Sequence, residues 1–115
     1  MRPAARRQWI LDYLKLRQDH CPSTVHRVDV LNSDFVTAYI LETDAQFVDM
    51  PYGAHKCPRL GEDLTALYKQ KQLARSTCGL EGLAGMGFPR WVYTYALPYA
   101  VEQEAARRAK EQVRR

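Results

Sequence analysis

Residues 55–77 read HKCPRLGEDLTALYKQKQLARST, residues 78–87 read CGLEGLAGMG, and residues 88–97 read FPRWVYTYAL. In the first stretch Leu60, Leu64, Leu67 and Tyr68 recur at i, i+4, i+7 and i+8, the spacing of one core-facing helical stripe. Pro58, a residue type favoured in a first turn, marks the start of that helix. Gly61 weakens it by up to about 1 kcal/mol relative to alanine. Residues 73–78 read as the strand leaving the helix. Gly79, Gly82, Gly85 and Gly87 follow, and glycine supplies the positive φ that hairpin loops need. Their spacing matches neither GxGxxG nor GxxxxGK[ST], so a phosphate-cradling loop is not expected. Residues 88–97 then alternate as a second strand. The larger set, Trp91, Tyr93, Tyr95 and Leu97, is expected to face the core, with Arg90, Val92, Thr94 and Ala96 on the other face.

The helix face opposite its leucine stripe carries Arg59, Glu62, Thr65, Ala66, Lys69 and Gln70. In a major groove, arginine reads guanine, glutamine reads adenine, and threonine touches the thymine methyl group. Glu62 would be repelled by phosphate unless it accepts from cytosine or pairs with a neighbouring base.

Upstream, residues 4–18 form a helix candidate with Trp9, Ile10, Tyr13 and Leu14 on one stripe, widened by Leu11 and Leu16. Arg6, Arg7, Lys15 and Arg17 lie largely off it, as a solvated edge or as sequence-independent phosphate contacts. Pro22 ends the helix. Residues 24–30 alternate like a short strand, with Val28 and Val30 on one side. Asn32 or Ser33 caps a second helix whose stripe is Phe35, Val36, Tyr39 and Ile40. That helix has no basic residue, so it belongs to the core. Residues 45–56 form a long loop, with a turn at residues 50–53 and Phe47 anchoring it to the core. Downstream, residues 99–115 are a helix candidate with a thin stripe of Val101, Ala105, Ala109 and Val113. A solvated helix, a dimer contact and a basic tail on DNA are the alternatives.

The chain has 115 residues and a net charge of +4, which suits one domain. The charge is uneven. Residues 1–28 hold six Lys/Arg against two acids, and residues 29–54 hold five acids and no Lys/Arg. Residues 55–98 hold six against three, and residues 99–115 five against three. Two basic regions flank an acidic one, a balance that favours anionic partners such as nucleic acid. No apolar run is long enough for a membrane span or a signal peptide. Three widely spaced cysteines form no disulfide framework. A cytoplasmic protein is the expectation.

The order helix, short strand, helix, helix, strand, wing, strand over residues 4–97 resembles the winged helix-turn-helix superfamily. The likeness is closest over 55–97. There Leu64 and Leu67, the run Gln72-Leu73-Ala74-Arg75, and Tyr93, Tyr95 and Leu97 match the leucine-rich turn, strand start and strand end of many winged-helix regulators. With Val30-Leu31-Asn32 and residues 35–39, the chain looks like small DNA-binding proteins of bacteria and their phages. The resemblance implies an α+β winged-helix domain at 1–98: a three-helix core, a small antiparallel sheet and a β-hairpin wing. A C-terminal basic helix or tail occupies 99–115.

It also implies a sequence-specific double-stranded DNA-binding protein that regulates transcription. Arg59, Thr65, Lys69 and Gln70 would face the groove. Arg75 and Arg90 would meet phosphate beside the wing, with Lys56, Arg6 and Arg7 as outlying cations. The alternative is a protein-interaction module on the same scaffold, docking a partner through the apolar wing tip (Leu80, Leu83, Met86) and the 45–56 loop.

No cofactor is expected. His20, Cys21 and His26, or His55 and Cys57, lack the spacing of a metal site. Cys57 beside His55 at a helix start is a conceivable thiol nucleophile, but a structural cysteine is the simpler reading. No enzyme emerges from these residues.

Overall fold

A computed structural model of the protein describes residues 1–51 and 54–114, apart from the side chains of Leu83, Ala84, Met86 and Arg114. Among the described residues the chain is a mixed α+β fold of four α-helices and two small antiparallel two-stranded sheets. The helices are α1 (Pro3–His20), α2 (Ser33–Thr43), α3 (Pro58–Lys69) and α4 (Pro98–Arg114). Strands β1 (Val48–Asp49) and β2 (His55–Lys56) pair with each other, as do β3 (Ala74–Gly79) and β4 (Trp91–Ala96). No described helix is long and apolar enough to cross a membrane.

The core lies where α1, α2 and α3 meet the base of the β3–β4 hairpin. Ile10 and Leu14 come from α1, Phe35, Val36 and Tyr39 from α2, and Leu60, Leu64 and Leu67 from α3, all almost completely buried. Leu73, Tyr95, Ala96 and Leu97 close it from the hairpin side. Trp9 stacks on Phe35 with centroids 6.3 Å apart, and Tyr13 packs on the same ring at 5.1 Å. The expected stripes of α1, α2 and α3 therefore hold at most positions. Two do not. Leu16 is 64% exposed, because the stripe of α1 turns past it to the buried Gln18. Tyr68 is 37% exposed, rotated off the core side of α3.

Gln18 has a structural task. Its side-chain amide donates to the Thr24 carbonyl at 2.8 Å, and its oxygen accepts from the His26 amide at 2.9 Å. This folds the 21–26 connection back on α1. The strand expected at 24–30 reduces to one bridge: Val28 and Tyr95 exchange backbone hydrogen bonds of 2.9 and 2.8 Å. Val28 thereby extends the β3–β4 hairpin by one residue.

Asn32 caps α2 by accepting from the Phe35 amide at 3.1 Å. The 45–56 segment is not an irregular loop but carries the β1–β2 pair, with Met50 and Ala54 joined across its end. Of the turn expected at 50–53, Tyr52 and Gly53 lie outside the described residues. Phe47 does not anchor this segment to the core. It is 45% exposed and packs on the edge of His55 instead. The glycine-rich connection between β3 and β4 is a 3-10 helix, Glu81–Met86, rather than an open turn. Gly87 follows at φ +84, a left-handed conformation that suits glycine.

The alternation in β4 runs opposite to expectation at its start. Val92, Thr94 and Ala96 are buried, whereas Trp91 is 51% and Tyr93 37% exposed. Only Tyr95 and Leu97 of the large set reach the core. The cause is α4. Its first turn buries Ala100 and packs Val101 on the core, and Val101 lines a small cavity with Thr94, Ala96 and Arg27. That covers the hairpin face assigned to solvent at Thr94 and Ala96, while Val92 borders the side of α3. Farther along, Arg107 donates to the carbonyls of Pro22 and Ser23, and Glu104 meets Arg27 at 3.6 Å. Beyond these contacts α4 is exposed, Val113 included.

Candidate nucleic-acid interface

The outward side of α3 and the exposed side of β4 face each other across an open groove of about 720 Å³. Thr65, Ala66 and Lys69 form one wall, and Trp91 and Tyr93 the other, with Val30 and Gly61 at the floor. Thr65 is half-buried, and its hydroxyl donates to the Gly61 carbonyl one turn back at 2.8 Å.

The hairpin wall is an aromatic and cationic ladder. The Arg75 guanidinium lies 3.9 Å from the ring centroids of both Tyr68 and Tyr93. Trp91 continues the row, 4.8 Å from Tyr93 in an edge-to-face arrangement. Arg75 and Tyr93 are paired residues' neighbours in the hairpin: Thr77 faces Tyr93, and Arg75 faces Tyr95, so Arg75 lies diagonal to Tyr93. Diagonal cross-strand neighbours lie within reach of long and aromatic side chains. A cation between two rings is stabilised by both π faces.

The cations expected at DNA separate into two groups. Lys69 lines the groove, Arg75 sits in the ladder, and Arg90 is exposed just before β4. Gln70 is exposed at the C-terminal end of α3. Lys56 lies on the far side of Pro58, beside a second cavity of about 510 Å³ that includes Met50, Cys57 and Phe88. Among the described residues Lys56, Lys69, Arg75 and Arg90 have no carboxylate partner within ion-pair distance.

Arg59, Arg6 and Arg7 behave differently. Arg59 turns away from the groove and donates to the carbonyl and hydroxyl oxygens of Thr43, at 2.7 and 2.8 Å. It satisfies the C-terminal end of α2, where orphan carbonyls need donors. Arg6 and Arg7 of α1 reach Asp63 of α3. Arg6 donates through Nε at 2.9 Å and Nη2 at 3.2 Å, and Arg7 through Nε at 3.2 Å. The Tyr39 hydroxyl donates to the same carboxylate at 2.6 Å. Asp63 is completely buried. Burial alone would raise its carboxyl, but the hydrogen bonds from Arg6 and Tyr39, and the adjacent charges, hold it below the usual carboxylate range. Burial, with the bond to Asp63, raises the Tyr39 phenol, which stays protonated as a donor. This cluster ties three helices together and fixes the angle at which α3 is presented.

Sequence reasoning missed both Asp63 and the exposure of Trp91, Tyr93 and Tyr68. Asp63 had a signal: an acid beside the leucine stripe, with an arginine pair on another helix. The wing-tip side chains of Leu83 and Met86 lie outside the described residues, and Leu80 is half-buried. Among the described residues no three His, Cys, Asp or Glu side chains cluster as metal ligands would. Compared with protein-family models, curated proteins and solved structures, the chain matches none.

Proposed function

We propose that the protein is a winged-helix, sequence-specific double-stranded DNA-binding protein that regulates transcription, with α3 as recognition helix and the β3–β4 hairpin as wing. Three helices followed by a β-hairpin support the fold, as does the single Val28–Tyr95 bridge beside that hairpin; the β1–β2 pair between α2 and α3 is an addition to the expected order. One observation carries the function. Lys69, Arg75 and Arg90, on α3 and the adjoining hairpin, have no acidic partner among the described residues, while Arg6, Arg7 and Arg59 are engaged inside the fold. A phosphate backbone would supply that counter-charge, and the place of Thr65 and Lys69 on the groove side of α3 supports a role for them at base edges.

The test is selection from pooled random duplexes followed by titration at several salt concentrations. Enrichment of one sequence, with affinity falling steeply as salt rises, supports the reading. No enrichment and no salt-sensitive binding at micromolar protein refutes it.

The second reading, a protein-docking module, is favoured by the exposed pair Phe47 and Val48 on the β1–β2 hairpin. Phe47→Ser with Val48→Ser separates the two: loss of a protein partner with DNA affinity unchanged would assign that hairpin to protein contact.

A further inference from the structure

We infer that the groove between α3 and β4 holds an unpaired DNA base stacked on Trp91, with Lys69 and Arg75 on the flanking phosphates. This rests on the nucleic-acid reading of the same groove and narrows it to a strand with at least one base out of its pair.

Three features point to that occupant. Trp91 is one of the two tryptophans, and unlike Trp9, which packs against the core, it is half exposed and placed on the groove wall. Its partners are flat as well: Tyr93 beside it, and beyond that the Arg75 guanidinium between Tyr93 and Tyr68. A base is a π surface, and successive aromatic and guanidinium planes are what single-stranded nucleic-acid sites offer it. The groove volume of about 720 Å³ falls within the range of roughly 300–1,000 Å³ typical of sites that hold small molecules. It therefore has room for a base with its sugar.

Charge selects the occupant among flat molecules. Lys69 lines the groove from α3, Arg75 of β3 sits within the aromatic row, and both lack carboxylate partners among the described residues. Among the described residues Glu62 is the one acid on the groove lining, on α3 two turns before Lys69. An apolar peptide would leave both cations without a counter-charge, whereas a strand running along the ladder places phosphates beside them. A fully paired duplex offers Trp91 only base edges, so an extruded, bulged or single-stranded base is what fits its face.

The experiment uses the full chain with three probes: a mixed-sequence single-stranded oligodeoxynucleotide, its blunt duplex, and that duplex with a one-base bulge. Affinity is read by anisotropy of labelled DNA, and stacking by tryptophan fluorescence. Trp9 packs on Phe35 in the core, so the difference between wild type and Trp91→Phe isolates the Trp91 signal. Trp91→Phe also keeps a ring and with it the hairpin. The expected result is Trp91 quenching by the single strand and the bulged duplex but not by the blunt duplex. Trp91→Ala should weaken single-strand binding at least about fivefold, the lower end for removing one stacking ring. Its affinity for the blunt duplex should stay within about twofold. Blunt-duplex binding without any Trp91 quenching by the other two probes overturns this inference and leaves the duplex reading standing. Quenching by the single strand with no duplex binding supports it and overturns the duplex reading. No binding to any probe overturns both.

Discussion

Replacing Asp63 with asparagine should cost about 3 kcal/mol of stability, for reasons that can be worked from its contacts. The carboxylate accepts four hydrogen bonds, two from Arg6, one from Arg7 and one from Tyr39. An asparagine of the same shape has one acceptor oxygen. Its amide would turn N–H groups toward the arginine donors. At least two charge-assisted bonds are then lost, each contributing about 1.5–3 kcal/mol. Breaking a buried ion pair from one side gives a similar figure, about 3–5 kcal/mol. The Arg7 side chain is 30% exposed and can rehydrate, which favours the lower end. At about 4 °C per kcal/mol for a chain of this size, the melting temperature should fall by roughly 12 °C.

The pH dependence has a definite sign. The folded Asp63 carboxyl lies below its unfolded value, so its contribution is complete above the unfolded carboxylate range near pH 4. It is lost as pH falls through the lower folded value. Thermal melts of wild type and Asp63→Asn by circular dichroism, from pH 7 to pH 2, should therefore converge at the acid end. A variant that melts within a few degrees of wild type at pH 7, or a gap that persists undiminished at pH 2, would refute the assignment of Asp63 as the charged tie among α1, α2 and α3.

Lys69→Ala should weaken duplex binding and reduce the slope of log affinity against log salt by about 0.9, the share of one neutralised phosphate, measured by anisotropy across a salt series. Arg59→Ala should leave that slope unchanged while lowering the melting temperature, since its donors serve Thr43 at the end of α2. Leu14→Ala should cost about 2–5 kcal/mol by chemical denaturation, as a fully buried leucine does, whereas Leu16→Ser, at an exposed site two residues on, should stay within about 0.5 kcal/mol. Gly87→Ala should destabilise by roughly 1–2 kcal/mol, because an alanine must enter the left-handed region there.

How much of this was legible beforehand depended on whether the deciding contact was local. The leucines of α3, the Asn32 cap and the start at Pro58 follow from spacing within one element, and each stands where periodicity placed it. The phase of β4 could not be settled that way. Trp91-Val92-Tyr93-Thr94-Tyr95-Ala96 offers a plausible buried face in either register, and size favoured the aromatic one. Part of the outcome turned on α4, whose Val101 sits beside Thr94 and Ala96 of the smaller face, a contact made by a helix whose thin Val/Ala stripe resembled a solvated one. Once that face is covered, Trp91 and Tyr93 must stand on the other, and the groove acquires its aromatic wall. The arginines show the same dependence. Sequence offers Arg59 to the groove, Arg75 and Arg90 to phosphate, and Arg6 and Arg7 as outlying cations, with no sign of which are engaged internally. Only the packing of α1 and α2 against α3 supplies Asp63 to the first pair and the Thr43 oxygens to Arg59. What is left over for a ligand is therefore a property of the assembled fold: a few unpartnered cations beside two exposed rings. Net charge alone would have counted every one of these arginines toward DNA, and the internal pairing removes three of them.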